Sequence, residues 1–223
     1  MTPLLWPCPL PGGAIAEEYA LTFDRGRAKR LLIVPALFDE ANRLRRFTVE
    51  VMRRLDGAGI DAFLPDLPGT NESLQSLTVQ EPHDWADAMA AASHHFGATA
   101  VLGMRGGCLF TPSMQQVLLY APVKASAQLR QMLRARMLAS REIGREETRD
   151  GLMALGLAIG IELAGYQLSA EFIRQFEPLT PREDGVEIAQ ETVGGSGLWL
   201  RAEPGESAEQ ADALAAAVLV ALS

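Results

Sequence analysis

The segment Ala98–Pro112 carries a residue pattern of a kind that performs chemistry. It reads ATAVLGMRGGCLFTP, an apolar run that ends in an arginine with glycines around it. The spacing is that of the turn G-x-S-x-G, in which a nucleophilic serine sits between a strand and a helix and small neighbours let other backbone approach it. Here the turn and its pocket would consist of Gly103, Met104, Arg105, Gly106 and Gly107. Arginine stays protonated and cannot attack a carbonyl carbon, but its fork of donors suits a carboxylate or a phosphate.

Two residues near this turn are candidates for another catalytic route. Cys108 lies at the start of a short predicted helix, whose dipole can lower a thiol pKa, although most cysteines in apolar surroundings are core residues. Asp66, in the segment PDLPG, could act as an acid or a base, but aspartate is also a common turn residue. Phe38 and Asp39 lie on a third loop at the same predicted edge, and we expect them to line the pocket beside Arg105.

Four apolar runs predict the strands that would position these residues. They are Leu31–Val34, Ile60–Leu64, Thr99–Gly103 and Val117–Tyr120. Helical stripes lie between them, at Arg43–Leu55 and Trp85–Phe96. This alternation predicts an α/β fold of three layers, in which the four runs are adjacent strands of a mostly parallel central sheet. Sites in such folds form at the carboxyl ends of the strands, where the turn around Arg105 would lie.

The remaining elements follow weaker patterns. The alternating segment Glu18–Phe23 predicts a half-buried strand at the edge of the sheet. Further strands are predicted at Ile161–Leu168, Val186–Thr192 and Leu198–Ala202. Helices are predicted at Ser126–Glu142, Glu146–Leu157, Ala170–Phe176 (with Ser169 as its N-cap) and Ala208–Leu222. The chain shows no internal repeat, so we expect a single domain over 1–223, with 124–165 as a small helical insertion like a lid.

Composition limits the partners and the location of the protein. The 223 residues are 48% hydrophobic, which is enough for one sizeable core. The formal net charge of -8 and the isoelectric point near 5.0 argue against a nucleic-acid surface. Two cysteines are too few for a disulfide framework and indicate a reducing compartment. No apolar run reaches membrane-spanning length and the proline-rich start lacks a basic region, so the sequence predicts a cytoplasmic protein without a membrane partner.

Three segments, in this order, carry a resemblance to a known fold family: LLIVPALFDEANRLRRF, FLPDLPGTNES and VLGMRGG. They resemble the first half of the α/β-hydrolase superfamily, and the resemblance implies a three-layer α/β-hydrolase-like fold with Arg105 at the nucleophile position. More narrowly, the arginine turn together with IELAGYQLSAEF resembles the hydrolases associated with exosortase A, found beside exopolysaccharide and protein-sorting genes of Gram-negative bacteria. The resemblance covers Leu31–Phe176.

No histidine is placed to activate a nucleophile at this turn. In the α/β-hydrolase superfamily the nucleophile, the acid and the histidine follow one another along the chain. His83, His94 and His95 all precede Arg105. His94 and His95 are adjacent and diverge on a helix, whereas metal-binding pairs need a spacing of about three or four residues. A serine triad is therefore disfavoured, and neither a metal ion nor a cofactor is predicted.

Three classes of function stay open on the sequence. The first is a protein of exopolysaccharide or exosortase systems that is non-catalytic or keeps a residual activity, in which Arg105 pairs with Asp39, Glu40 or Asp66 and fills the former active site. The second is a hydrolase of a small ester or acyl substrate that works by a non-serine route. The third is a binding module, which takes a small anionic ligand at Arg105 or a protein partner on the basic helix predicted at Ser126–Glu142. The alanine-rich carboxyl-terminal helix could also serve a homodimer.

Overall fold

A seven-stranded sheet lies at the centre of the computed structural model, which describes residues 1–201 and 203–223. The strands in chain order are β1 Thr2–Pro9, β2 Ile15–Phe23, β3 Arg30–Val34, β4 Asp61–Pro65, β5 Ala100–Met104, β6 Val117–Tyr120, β7 Ile161–Leu163, β8 Tyr166–Leu168 and β9 Val186–Ile188. The large sheet has the order β1-β2-β4-β3-β5-β6-β9, and β7 with β8 forms a separate antiparallel hairpin. Five neighbouring strands of the large sheet, β4, β3, β5, β6 and β9, are parallel to one another. β2 is antiparallel to both of its neighbours, β1 and β4.

Helices cover both faces of this sheet. They are α1 Asp39–Gly57, α2 Pro82–His95, α3 Ala125–Glu142, α4 Arg149–Ile159, α5 Ala170–Phe176, α6 Gln190–Val193 and α7 Ala208–Ala221. Alternate residues of β3 point to opposite faces, so that Leu31 and Ile33 pack with α1 and α7, whereas Leu32 and Val34 pack with α2 and α3. The prediction of a three-layer fold with a mostly parallel sheet is confirmed.

The four predicted central strands are adjacent in the sheet, as β4-β3-β5-β6. Each is almost fully buried, because helices cover both faces of the sheet. A continuous apolar run places apolar side chains on both faces, where they pack against these helices. Val34 at the end of β3 pairs with Gly103 near the end of β5. This register brings the loop after β3 and the turn after β5 to the same edge of the sheet, at the carboxyl ends of the strands.

The edge position predicted for Glu18–Phe23 is wrong. That segment lies within β2, which has β4 on one side and β1 on the other. The edge strand is β1, which the sequence pattern did not predict because Pro3, Pro7 and Pro9 interrupt it. Its Trp6 and Cys8 alternate with these prolines and are fully buried under the sheet. An edge strand tolerates proline because half of its backbone groups face away from the sheet.

Three of the later strands also differ from the predictions. The single strand predicted at Ile161–Leu168 is the β7–β8 hairpin, which turns at Ala164 and Gly165, both with positive φ. The strand predicted at Val186–Thr192 ends at Ile188 and gives way to α6. The segment predicted as a strand at Leu198–Ala202 is a 3-10 turn over Leu198–Leu200, and Ala202 lies outside the described residues. Ser169 caps α5 as predicted, because its hydroxyl accepts from the backbone N–H of Phe172.

The segment 124–165 contributes α3, α4 and β7. Its apolar residues Leu129, Met132 and Leu152 belong to the same core as Leu32 and Val34 of the central sheet. Its role as a lid stays a prediction. None of the helices within the described residues combines the length and the apolar character needed to cross a membrane.

Candidate functional site

The turn after β5 keeps the strained geometry of a nucleophile turn. β5 ends at Met104, and a 3-10 turn runs from Arg105 to Phe110. Arg105 has a φ of 54°, a left-handed conformation that a side-chain-bearing residue adopts at a cost of about 1–3 kcal/mol. No longer helix follows, since Pro112 lacks the N–H that a helix would need there. The strained backbone raises the Arg105 side chain over the carboxyl ends of the strands.

The small residues around Arg105 are required by close packing of backbone. A Cβ atom added to Gly103 would lie 2.7 Å from the Cα of Cys108. One added to Gly107 would lie 2.6 Å from the carbonyl oxygen of Val34 and still closer to that of Pro35. The turn is therefore pressed against the end of β3, which explains the glycine spacing read from the sequence.

The guanidinium of Arg105 is held on several sides. Its Nε donates to Oε2 of Glu40 at 3.1 Å and its Nη2 donates to Oε1 at 3.2 Å, which is a two-pronged pair. Its Nη1 donates to the carbonyl oxygen of Ala121 at 2.8 Å. Its carbon Cζ lies 3.9 Å from the centre of the Trp199 ring, a cation–π contact. The side chains of Arg105 and Glu40 are only 12% and 5% exposed, so this ion pair is largely shielded from water.

Glu40 is presented by the first turn of α1, which begins earlier than the predicted Arg43. Phe38 precedes this helix with a φ of 53° and is 4% exposed. Its ring contacts aromatic side chains from three elements, with centroid distances of 5.3 Å to Tyr166, 5.7 Å to Phe176 and 6.0 Å to Trp85. This packing fixes the start of α1. The helix dipole also favours the negative charge of Glu40 at that position.

The other two carboxylates expected as partners of Arg105 pair with different arginines. Asp66 is fully buried and pairs with Arg45, and it also accepts from Nδ2 of Asn71 at 3.2 Å and from the backbone N–H of Glu72 at 3.3 Å. These contacts make Asp66 the organiser of the loop after β4. Asp39 is 44% exposed and lies 3.7 Å from Arg43. Of the three carboxylates, Glu40 is the one that meets Arg105.

Cys108 is buried at 1% exposure. Its thiol donates to the carbonyl oxygen of Gly103 at 3.2 Å. Burial raises the pKa of this thiol, and the nearby positive charge of Arg105 offsets only part of that effect. Cys8, in β1, is also buried, and burial raises its pKa to about 12. Both cysteines are free thiols that the fold keeps in the unreactive, protonated form.

We expect neither thiol to react with a disulfide reagent in the folded protein. The reagent consumes thiolate, and at about pH 8, where an unshielded thiol is partly ionised, both buried groups stay protonated. The measurement is the release of thionitrobenzoate from Ellman's reagent with and without urea. Two thiols per chain should react once the protein is unfolded. Rapid release of one equivalent from folded protein would show that one of the cysteines is an accessible nucleophile.

A small cavity of about 80 Å³ lies beside the turn. It is lined by Leu37, Phe38, Asp39, Glu40 and Arg43 before and in α1, and by Gln128, Gln131, Met132 and Ala135 of α3. The amide group of Gln128 lies flat against Gly106, whose added Cβ would sit 2.5 Å from its Oε1. Gln128 is 4% exposed and its Oε1 has no hydrogen-bond partner. Phe38 and Asp39 line one side of this cavity and α3 closes the other; a role for these two residues in ligand binding stays a prediction.

The histidines and serines do not assemble into a hydrolytic site. His83, His94 and His95 are exposed on α2. The hydroxyl of Ser73 donates to Oε1 of buried Glu18 at 3.0 Å and accepts from the backbone N–H of Gly69 at 2.9 Å. Ser76 caps the 3-10 turn at Leu77–Val79. The roles of these serines are those of loop and cap residues.

Sequence reasoning missed Trp199 and Gln128. The sequence predicts a strand at Trp199, and no local pattern links this residue to a turn that lies far away along the chain. Gln128 carried a signal, because it shares the buried face of α3 with Leu129 and Met132. A polar residue among core positions of an amphipathic helix points to a specific contact. That contact is with Gly106 of the turn.

No protein-family model matches this sequence, and no curated protein matches it. Solved structures do match the fold. Alpha/beta hydrolase domain-containing protein 10 from mouse is similar over 98% of this chain and 99% of its own, with a TM-score of 0.59 and 11% identity. A candidate hydrolase from Agrobacterium vitis S4 is similar over 100% and 99%, with a TM-score of 0.54 and 14% identity.

Est1E from Butyrivibrio proteoclasticus, whose structure contains ferulic acid, is similar over 73% of this chain and 68% of its own, with a TM-score of 0.50 and 13% identity. Likeness at such low identity shows the fold alone. The chain therefore has the α/β-hydrolase fold, as the order of its three sequence motifs implied.

Proposed function

We propose that this chain, which has the α/β-hydrolase fold, is a non-catalytic protein in which an arginine–glutamate pair occupies the place of the nucleophile. The observation that carries the proposal is the environment of Arg105. A nucleophile needs a side chain that is free to approach substrate, whereas Arg105 is held by Glu40, by the carbonyl of Ala121 and by the face of Trp199. These contacts support a structural role for the residue.

The contacts of the remaining candidates also favour a non-catalytic protein. Asp66 is committed to Arg45 and to its own loop, and Cys108 is buried as a protonated thiol. A general base must reach the proton that it abstracts, and a thiol nucleophile must be ionised. A hydrolase that works by a non-serine route would therefore need a group other than these two.

An anion-binding role for Arg105 receives less support than a structural one. Glu40 already supplies a carboxylate in the two-pronged geometry that an anionic ligand would use. A ligand would have to displace this carboxylate and leave it buried without a partner, which is costly. The pair fills the site that a small anion would otherwise take.

We place the protein with exosortase or exopolysaccharide systems on the strength of its motifs alone, namely the arginine turn and the segment IELAGYQLSAEF. A non-catalytic protein in such a system would act by binding. The test is deletion of the gene in its host, with exopolysaccharide output as the readout. Output should fall and should be restored by the unaltered gene. Unchanged output would remove this assignment and leave the non-catalytic proposal standing.

We expect no labelling by a fluorophosphonate probe, which reacts covalently with activated serines. Ser73, Ser76 and Ser113 have no histidine that this fold would place beside them. Purified protein should give no probe signal under conditions in which an active serine hydrolase is fully labelled. Arg105→Ser is the informative variant, because it restores the serine but not the histidine, and it should also hydrolyse no p-nitrophenyl ester above background. Labelling of any serine in the unaltered protein would contradict the proposal.

A further inference from the structure

A groove on the outer side of α3 is far more basic than the chain as a whole. The formal net charge of the protein is -8, yet arginine and lysine outnumber acidic residues between positions 124 and 149. Arg134 and Arg141 lie on one face of α3, because seven residues make almost two full helical turns. Arg145 follows in the loop towards α4 and lines the same groove, whose volume is about 440 Å³.

The three guanidiniums of this groove have no carboxylate partner. Within the residues that the structure describes, Arg134, Arg141 and Arg145 form no ion pair, although most arginines of this chain do. Unpaired arginines that share one groove raise the local positive potential, and each offers a planar fork of donors. This arrangement matches the oxygen atoms of phosphate groups.

The acidic residues nearby do not neutralise the groove. Glu147 lines it, but its carboxylate is bound by Arg136 at 2.9 and 3.2 Å and by the hydroxyl of Ser140 at 2.5 Å. These donors, together with the nearby charge of Arg145, lower the pKa of Glu147 to about 2. The hydrogen bonds of this carboxylate go to Arg136 and Ser140 rather than to the three groove arginines. Glu146 also lines the groove and is exposed to solvent. Its single charge faces three arginines, so the groove keeps an excess of positive charge.

The groove also has an apolar part, formed by Met137 and Leu138 between the arginines. Leu138 is 54% exposed. A volume of this size falls in the range of small-molecule sites, which is about 300–1,000 Å³. The combination of three free guanidiniums and an apolar wall is suited to a compact ligand of high negative charge rather than to a single monovalent anion.

We infer that this groove, lined by Arg134, Arg141 and Arg145, is a binding site for a small molecule that carries two or more phosphate groups. The site is separate from the pair of Arg105 and Glu40, and it requires no catalysis. It gives a non-catalytic chain a means of recognising a ligand.

The test uses calorimetric titration of the full chain with inorganic tripolyphosphate at low ionic strength. Binding should saturate at one site per chain. The double variant Arg134→Ala, Arg141→Ala should weaken it by at least about tenfold, since two of the three guanidiniums that would donate charge-assisted hydrogen bonds to the phosphates are lost. Arg130→Ala is the matched control, because Arg130 is an exposed arginine of the same helix that lines a different groove. It should bind nearly as the unaltered protein does.

Several results would overturn the inference. Binding that does not saturate, or that falls equally in Arg130→Ala, would show attraction to the general charge of α3. Two further probes test whether the groove instead binds a membrane or an acidic protein segment. They are vesicles that contain anionic phospholipid and a hexaglutamate peptide. Tighter binding of either probe than of tripolyphosphate would make the groove a membrane-facing or a protein-facing surface. All these side chains are solvent-exposed, so thermal unfolding of the variants should match that of the unaltered protein.

Discussion

Replacing Arg105 with alanine should lower the free energy of unfolding by about 3 kcal/mol or more. The reason is the carboxylate of Glu40, which is 5% exposed and would remain buried without its partner. The carbonyl of Ala121 would lose its donor and the ring of Trp199 its cation. The measurement is urea-induced unfolding followed by circular dichroism, with the unaltered protein and Arg105→Ala compared at the same pH.

Asp39→Ala is the matched control for this experiment. Asp39 also pairs with an arginine at the start of α1, but its side chain is 44% exposed and its separation from Arg43 is 3.7 Å. A solvent-exposed pair contributes at most about 1 kcal/mol. The double variant Arg105→Ala, Glu40→Ala should recover part of the lost stability, because no unpaired charge is left in the core.

The outcome separates the three interpretations of Arg105. A large loss of stability in Arg105→Ala and Arg105→Ser supports a structural pair that fills the site. Unchanged stability together with lost binding of an anionic ligand would support an anion pocket instead. Unchanged stability and unchanged binding would make Arg105 an incidental residue and would contradict the arrangement described around the turn.

Replacing Gly107 with alanine should destabilise the protein by about 3 kcal/mol or prevent folding, which is at the upper end of overpacking effects. The added methyl group would lie 2.6 Å from the carbonyl oxygen of Val34. That atom belongs to a central strand and cannot move aside as a flexible side chain would. The turn would have to separate from β3, with loss of the packing on both sides of it. The yield of folded protein and its urea midpoint measure the effect.

Gly57→Ala is the matched control for Gly107. Gly57 is the last residue of α1, and an added Cβ would meet no atom within 4 Å. Alanine there should leave stability unchanged or raise it by about 0.5–1 kcal/mol, because glycine loses more backbone freedom on folding. A tolerated alanine at Gly107, with stability equal to that of Gly57→Ala, would contradict the close contact between the turn and β3.

The central strands and the turn were predictable because their signals are local. Each central strand is a continuous apolar run. The glycines around Arg105 indicate a close approach of backbone, and they do so whether the residue between them is a serine or an arginine. The β7–β8 hairpin was less predictable, since Ile161–Leu163 and Tyr166–Leu168 each alternate as a strand does, and a single glycine such as Gly165 also occurs within continuous strands. Periodicity alone does not reveal where such a strand folds back.

The partners of Arg105 could be predicted only in part. Glu40 was one of three nearby carboxylates, and the choice among them depends on which arginines of α1 take the other two, namely Arg43 and Arg45. Which carboxylate each arginine reaches depends on the angular position of its side chain around α1 and on the start of this helix at Asp39 rather than at the predicted Arg43. Trp199 comes from the far end of the chain, and only the assembled fold brings it to the turn.

The prolines of β1 have a consequence for how copies of this chain meet in a crowded solution. Pro3, Pro7 and Pro9 fall on alternate positions of the edge strand, which are the positions whose backbone groups point away from β2. Three of the four residues on that side are prolines without an N–H donor, and Leu5 is the fourth, so a foreign strand could form few hydrogen bonds with it. At the opposite edge of the described sheet, β9 offers only the short stretch Val186–Ile188. Both rims of the sheet are therefore poor templates for intermolecular β-pairing and aggregation.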